Sequence, residues 1–280
     1  MNPQNYVRKR FLPHLWCAGC GHGTVLNALM RSVDTLGLSK EDIVMVTGIG
    51  CSARMAGYVD FHTMHTLHGR ALAFATGIKM SRPELKLLVP MGDGDALAIG
   101  GNHFLHAARR NIDMTAIIMN NRIYGMTGGQ FSPLSGEGTS ATTAPWTSID
   151  PAFDAMELAK AAGATYAARS TTYHVRELEK VLTAAIAHKG FSVVEVFSQC
   201  PTYYGRKNKA GDAPEMLRSF KENTAKIGSK ALEENPSLTA RGVFVEKDAP
   251  EYGESYAQLC ERAAGEKFPE RKYGKEAPRC

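Results

Sequence analysis

Four cysteines and two short glycine, aspartate and asparagine motifs carry the chemistry that can be read from this chain. Cys17 and Cys20 form a C-x2-C pair, Cys51 stands in GIGCSAR, and Cys200 stands in QCPTYYGR. Thiolates are soft ligands, and four of them suit either zinc or an iron–sulfur cluster. A zinc ribbon supplies two C-x2-C pairs, so one pair with two distant single cysteines matches it poorly. Taken singly, each cysteine is equally well a small buried hydrophobe, and Cys260 and Cys280, in a charged stretch, are read that way. The second constellation is Gly92-Asp93-Gly94-Asp95 followed by Asn120-Asn121. The glycines let backbone N–H groups approach an anion, and the helix that follows points its positive end at it. A carboxylate beside such an anion requires a cation between them. Oxygen ligands from Asp93, Asn121, a backbone carbonyl and phosphate suit octahedral Mg²⁺. GDG and NN are each common turn chemistry. Their placement at the two ends of one apolar strand–helix–strand unit favours a site.

These residues need a frame that brings distant segments together. Aliphatic and β-branched runs at Ile43–Thr47, Leu85–Pro90, Thr115–Met119 and Phe191–Phe197 predict strands. Helical spacing predicts helices over Thr24–Leu36, Arg70–Met80, Ile99–Arg109, Pro151–Ala162 and His174–His188. Alternating strands and helices predict an α/β fold with a doubly wound, mostly parallel sheet. Ligands on such sheets bind beyond the carboxyl ends of the strands. Thr47–Ser52, Gly92–Asp95, Asn120–Gln130 and Ser198–Pro201 all follow predicted strands, so the chemistry converges on one edge. Phe131–Trp146 reads as a long loop, of the length that often covers a site.

The chain has 280 residues with Lys+Arg 33 against Asp+Glu 28, a net charge of +5. That excess is too mild to argue for nucleic acid or an anionic membrane surface as partner. No apolar run approaches the ~20 residues of a membrane span, and the basic N-terminus lacks the apolar core of a secretory signal. A cytoplasmic location and reduced thiols are expected. Charge thickens after residue 205, so residues 1–205 read as the cofactor-binding domain. Residues 206–280 read as a polar C-terminal extension with one or two surface helices, for example around Ala213–Leu232.

The GDG-to-NN unit resembles the fingerprint of the thiamine-diphosphate enzymes, in their diphosphate-binding half. The resemblance implies that Asp93, Asn121 and the carbonyl of Ile123 hold Mg²⁺, and that Gly92, Gly94 and Asp95 lie against the diphosphate, Gly94 and Asp95 through their amides. With Cys17, Cys20, Cys51 and Cys200, and with HGRAL, GDGDALAIGGNH and NNRIYGMTGGQ, the chain resembles the β subunit of the 2-oxoacid:ferredoxin oxidoreductases from about residue 12 to about 208. It is most similar to the 2-oxoglutarate type. That likeness implies that the four cysteines bind a 4Fe-4S cluster close to thiamine diphosphate. The backbone of Ile49, Gly50, Cys51 and Ser52 would face the thiamine, as would Tyr124, Gly125, Met126 and Thr127. His68 would hydrogen-bond near the cofactor, and Arg54, able to bind a carboxylate with two parallel bonds, would stand near the 2-oxoacid. His62 and His65 are read as structural, His103 and His106 as packing or interface residues, although Asn102 and His103 could reach the cofactor edge. His22 is read as part of the turn presenting Cys20. Many relatives carry a glycine where this chain has Trp146, a departure that bears on the geometry of the cover.

The resemblance also implies partners. No segment here supplies the glutamate that protonates the aminopyrimidine ring, and in the family it belongs to an α subunit. The chain is expected to work only as an αβ unit, dimerised to (αβ)₂. The implied reaction is the reversible, coenzyme A-dependent oxidative decarboxylation of a 2-oxoacid, with electrons passing through the cluster to ferredoxin. The substrate implied is 2-oxoglutarate, yielding succinyl-CoA. Pyruvate or branched-chain acids are alternatives, as is a non-redox thiamine-dependent lyase that would not need the four cysteines. A zinc-bound structural module is the reading outside enzymes.

Overall fold

The computed structural model describes residues 2–265. In chain order the elements are α1 (His22–Thr35), β1 (Ile43–Thr47), the one-turn α2 (Met55–Tyr58), β2 (His62–His65), α3 (Ala71–Ser81) and β3 (Lys86–Gly92). Then come α4 (Asp93–Leu97), α5 (Gly101–Arg109), β4 (Met114–Asn120), α6 (Ala155–Ala162), β5 (Tyr166–Thr171), α7 (Val175–Ala187) and β6 (Phe191–Phe197). The charged stretch adds α8 (Ala213–Glu222), β7 (Thr224–Lys226), α9 (Lys230–Glu234), β8 (Thr239–Glu246) and α10 (Tyr252–Gly265).

The strands form one sheet in the order β2-β1-β3-β4-β6-β5-β8-β7. From β2 to β5 every pairing is parallel. Every residue of β1, β4, β5 and β6 is buried, because helices cover both faces. That is why β1, β4 and β6 read as continuous apolar runs rather than alternations. Val25, Leu29, Leu178 and Leu182 of α1 and α7 pack on one face with Met45. Leu72, Phe104 and Ala159 of α3, α5 and α6 pack on the other with Val44 and Val46. The chain leaves β1 for β2 on one side and returns to β3 on the other. The carboxyl ends of β1 and β3 therefore flank a switch point, where such sheets bind ligands.

The doubly wound sheet matches the sequence expectation, and the differences have local causes. β5 escaped the strand reading because small and polar residues fill it, with Arg169 in its middle. β2 escaped because three of its four residues are exposed on a sheet edge. The helix expected from Pro151 starts at Ala155, where the Asp154 side chain accepts hydrogen bonds from the Met156 and Glu157 amides. The helix expected around Ala213–Leu232 stops at Glu222, and β7 follows it directly. The charged stretch also gives more than surface helices: β8 pairs antiparallel with β5 and extends the main sheet. Its residues are half-buried or exposed, so it shows no apolar run. Cys280 and the rest of residues 266–280 lie outside the described residues. Among the described residues no helix is long and apolar enough to cross a membrane.

Candidate active site and cysteine cluster

The loop after β1, Gly48–Ser52, enters the site at the switch point. At Gly48 a methyl group would overlap the Asp95 carboxylate, so glycine is what lets loop and acid meet. Asp95 is buried; its Oδ1 accepts from the Gly69 amide at 2.6 Å and stands 2.9 Å from His68 Nδ1. Burial pushes the Asp95 carboxyl up, against the hydrogen bonds that hold it ionised. Its Oδ2 is buried without a partner, and so is the hydroxyl of Ser52. That hydroxyl lies 3.4 Å from where a side chain on Gly92 would begin. Buried polar atoms left unpaired cost about 1–3 kcal/mol each, so such atoms at this turn mark a place made for a polar ligand.

Asp93 opens α4 and is 2% exposed. Ser132 Oγ donates to its Oδ2 at 2.5 Å. Burial nonetheless pushes the Asp93 carboxyl up to about 7, well above the usual carboxylate range. A carboxylate so placed is short of positive charge, and a bound cation supplies it. Across the cleft, Arg122 takes a left-handed φ of 59° between Asn121 and Ile123. Asn120 and Asn121 stabilise that turn differently. Asn120 Oδ1 accepts from the Arg122 amide, while its Nδ2 donates to Glu195 at 2.7 Å. Asn121 Oδ1 accepts only the Ile123 amide at a longer 3.2 Å. Asn120 thus faces the core, and the second asparagine is the one available to a ligand. Asp93, Asn121 and a main-chain carbonyl form an all-oxygen donor set, which fits Mg²⁺. The Tyr124 ring lies against Gly94, where a methyl would overlap it, and 5.7 Å from the His68 ring. Burial, then the charges of Asp93 and Asp95, push the Tyr124 hydroxyl up to about 12.

The four cysteines gather beside this site. Cys17 is exposed, Cys20 and Cys51 are half-buried, and Cys200 is buried. The C-x2-C turn closes through the Cys20 amide on the Cys17 carbonyl at 3.0 Å, with Gly19 at a φ of 76° between them. The Gly21 amide then donates to the Gln199 carbonyl at 3.1 Å, tying the pair to the strand end that carries Cys200. Trp16 donates its indole N–H to the Cys51 carbonyl at 2.7 Å. A side chain on Gly125 would begin 3.5 Å from Cys51 Sγ and 3.9 Å from Cys200 Sγ. Burial pushes the Cys20 thiol up to about 12; a hydrogen bond from the His22 amide opposes this, and the charges of Cys200, Cys51 and Cys17 add to it. Cys51 is raised by burial and then by Cys200 and Cys17, with Arg54 pulling the other way. Cys20 and Cys51 thus both feel the charges of Cys17 and Cys200. Among the described residues no three His, Cys, Asp or Glu side chains stand as close together as the ligands of one metal ion.

Arg54 lies on the exposed side of the loop and lines a cavity of about 840 Å³ with Arg8, Arg10, Ile49, Gly50 and Met126. Thr127 sits in the exposed turn beyond Met126, its hydroxyl donating to Gln130. His65 hydrogen-bonds Thr47 at 2.9 Å and lines the same cavity as Arg54, and His62 meets Glu41 on the surface. His103 pairs with Arg70. His22 is buried against Ser198 Oγ at 3.0 Å, and burial lowers its pKa to about 4. Sequence reasoning missed Ser132, Glu195 and Arg169. Ser132 lies in a serine-rich loop whose composition resembles ordinary linker, and Glu195 is one charge in the apolar run SVVEVF. That lone acid, and Arg169 in β5, were the available signals.

Residues 48–196 match the family of thiamine pyrophosphate enzymes through its C-terminal TPP binding domain. Fold, switch-point site and this match define the diphosphate-binding domain of a thiamine enzyme. The chain is 47% identical over 264 residues to the 2-oxoglutarate synthase subunit KorB of Methanothermobacter thermautotrophicus, spanning 93% of this chain and 92% of that one. It is 49% identical over 255 residues to the subunit of the same name from Archaeoglobus fulgidus, spanning 91% and 93%. The 2-oxoglutarate:ferredoxin oxidoreductase from Magnetococcus marinus, solved with 2-oxoglutarate, coenzyme A and succinyl-CoA bound, superposes with a TM-score of 0.86 at 34% identity, covering 95% of this chain and 92% of that chain. The chain belongs to the family of 2-oxoglutarate synthase β subunits, the KorB subunits of 2-oxoacid:ferredoxin oxidoreductases.

Proposed function

We propose that this chain holds thiamine diphosphate, Mg²⁺ and a 4Fe-4S cluster, and with an α subunit oxidises 2-oxoglutarate. The reaction is 2-oxoglutarate + coenzyme A + two oxidised ferredoxins → succinyl-CoA + CO₂ + two reduced ferredoxins + H⁺. One observation carries the reading. A single segment, Asn121 to Gly125, runs from the turn opposite Asp93 to the sulfurs of Cys51 and Cys200. In this reading the residues for the cation and diphosphate lie next to the four thiolates, as electron transfer between them requires.

In this reading Asp93, Asn121 and the Ile123 carbonyl hold Mg²⁺, while Gly92, Gly94, Asp95 and Ser52 border the diphosphate. Cys17, Cys20, Cys51 and Cys200 hold the iron. Thiamine, when bound, supplies the stabilised carbanion chemistry of decarboxylation. Ile49 and Met126 border it with apolar side chains, and the Gly50 backbone lies between Ile49 and Cys51. Tyr124 packs the cofactor side of Gly94, and Thr127 closes the turn behind Met126. Arg54 binds a carboxylate of the 2-oxoacid, and His68, held by Asp95, hydrogen-bonds at the cofactor. Arg8 and Arg10 make the same cavity attractive to the phosphates of coenzyme A. Ile49, Leu67 and Met126 are exposed apolar side chains around the site, which suits cover by the α subunit, in an (αβ)₂ assembly in the cytoplasm. The 1–205 and 206–280 division is kept as one of function: the cofactor residues all fall in the first part.

The test is an anaerobic assay of the co-purified αβ complex with a low-potential acceptor. Reduction that needs both 2-oxoglutarate and coenzyme A is the expected result. Reduction with pyruvate in place of 2-oxoglutarate would overturn the substrate and keep the reaction. Turnover of a 2-oxoacid with no acceptor reduction, from iron-loaded complex, would mean a non-redox lyase.

A further inference from the structure

Two buried serines on the loop after Tyr124–Gln130 join the two halves of the cation site, and no motif predicts them. Ser132 is fully buried, and its hydroxyl donates to Asp93 Oδ2 at 2.5 Å while accepting the Leu134 amide at 3.3 Å. Ser135 is also buried; its hydroxyl accepts the Ser132 amide at 2.9 Å and donates to the Arg122 carbonyl at 2.5 Å. One turn of loop therefore grips the GDG acid with one serine and the main chain beside Asn121 with the other. The far end of the same loop reaches that turn by a second route. Asp154 accepts from Arg169 at 2.7 Å, Arg169 donates to Glu195 at 2.6 Å, and Asn120 donates to the other oxygen of Glu195. The Phe153 amide closes the loop on the Pro133 carbonyl at 2.9 Å.

We infer that Ser132 and Ser135 are positioning residues for the metal and diphosphate, and that the loop from 131 to 154 is a clasp across the cation site. A carboxylate offers two oxygens, and rotation of the Asp93 side chain would exchange them. The Ser132 hydroxyl occupies Oδ2 and so leaves Oδ1 to the cation. Ser135, by holding the Arg122 carbonyl, fixes the left-handed turn that sets Asn121 opposite Asp93. Hydrogen-bonded partners behind a metal's ligands typically matter 10–100-fold to metal affinity. The inference rests on the reading of Asp93 and Asn121 as Mg²⁺ ligands.

The experiment compares the wild-type αβ complex with S132A and S132T complexes. Magnesium is titrated calorimetrically at saturating thiamine diphosphate, and melting temperature is measured in chelator without either ligand. S132A is expected to bind Mg²⁺ about 10–100-fold more weakly, with S132T restoring most of the loss, and with the melting temperature in chelator unchanged. S135A is expected to weaken Mg²⁺ in the same direction. Wild-type affinity in S132A would overturn the inference. So would weakened affinity matched by an equal loss of stability in chelator and no rescue by threonine, since the serine would then be a packing residue. A D93N complex serves as the reference: if its Mg²⁺ affinity equals wild type, Asp93 is not a ligand and the inference falls with the reading beneath it.

Discussion

In the proposed reading, Asp93 and Cys51 concentrate the cation and electron-transfer chemistries into single side chains. Asp93 is a buried acid whose charge the protein alone does not compensate. Asp93→Asn keeps the shape and removes the charge, and is expected to weaken thiamine diphosphate and Mg²⁺ retention more than about 100-fold, beyond what outer partners supply. Cofactor content of the purified complex checks this, and full occupancy would contradict it. Cys51→Ser removes one thiolate beside Gly125. Iron per chain is expected to fall and acceptor reduction to be lost, while thiamine diphosphate is retained; unchanged reduction would place the electron path elsewhere. At this scale the sequence was legible where the chemistry needs a rare residue at a fixed interval. Cys17, Cys20, Cys51 and Cys200 are legible because cysteine is scarce and the pattern uneven. Ser132 and Ser135 are not legible, because serine is common in loops and their worth comes only from where the chain returns.

At the scale of elements, the site depends on strand ends held in register. Glu195 of β6 sits 1% exposed between Asn120 and Arg169. Glu195→Ala leaves the buried Arg169 guanidinium without its main partner, and breaking such a pair costs about 3–5 kcal/mol. A thermal melt of the complex is expected to show the loss directly. Glu195→Gln, which keeps one carbonyl oxygen to accept from Arg169 but sets an NH2 donor against the Asn120 Nδ2, is expected to lose less than Glu195→Ala. β8 covers the edge of β5, and an uncovered edge is open to pairing with other chains. A chain ending at Glu222 is therefore expected to aggregate, as light scattering would show; a monodisperse truncated complex would contradict this. β1, β4 and β6 were legible because they are buried on both faces and so nearly uniformly apolar. β2, β5 and β8 were not. An edge strand is exposed, β5 carries an ion-paired arginine, and β8 is half-covered, so none presents the period or the run that marks a strand.

For the whole molecule, the doubly wound order explains why residues as distant in sequence as Cys17 and Cys200 share one edge. Ile49, Leu67 and Met126 are exposed around that edge, and in the proposed reading an α subunit covers them. The isolated chain is expected to bind iron but to show no 2-oxoglutarate-dependent electron transfer until α is added. The most direct measurement is a metal and sulfide analysis of the anaerobically purified αβ complex, followed by electron paramagnetic resonance before and after 2-oxoglutarate. The account predicts about four iron and four acid-labile sulfide on this chain, and a reduced-cluster signal that 2-oxoglutarate elicits and Cys51→Ser abolishes. One zinc per chain, or a full iron complement that 2-oxoglutarate never reduces, would contradict it.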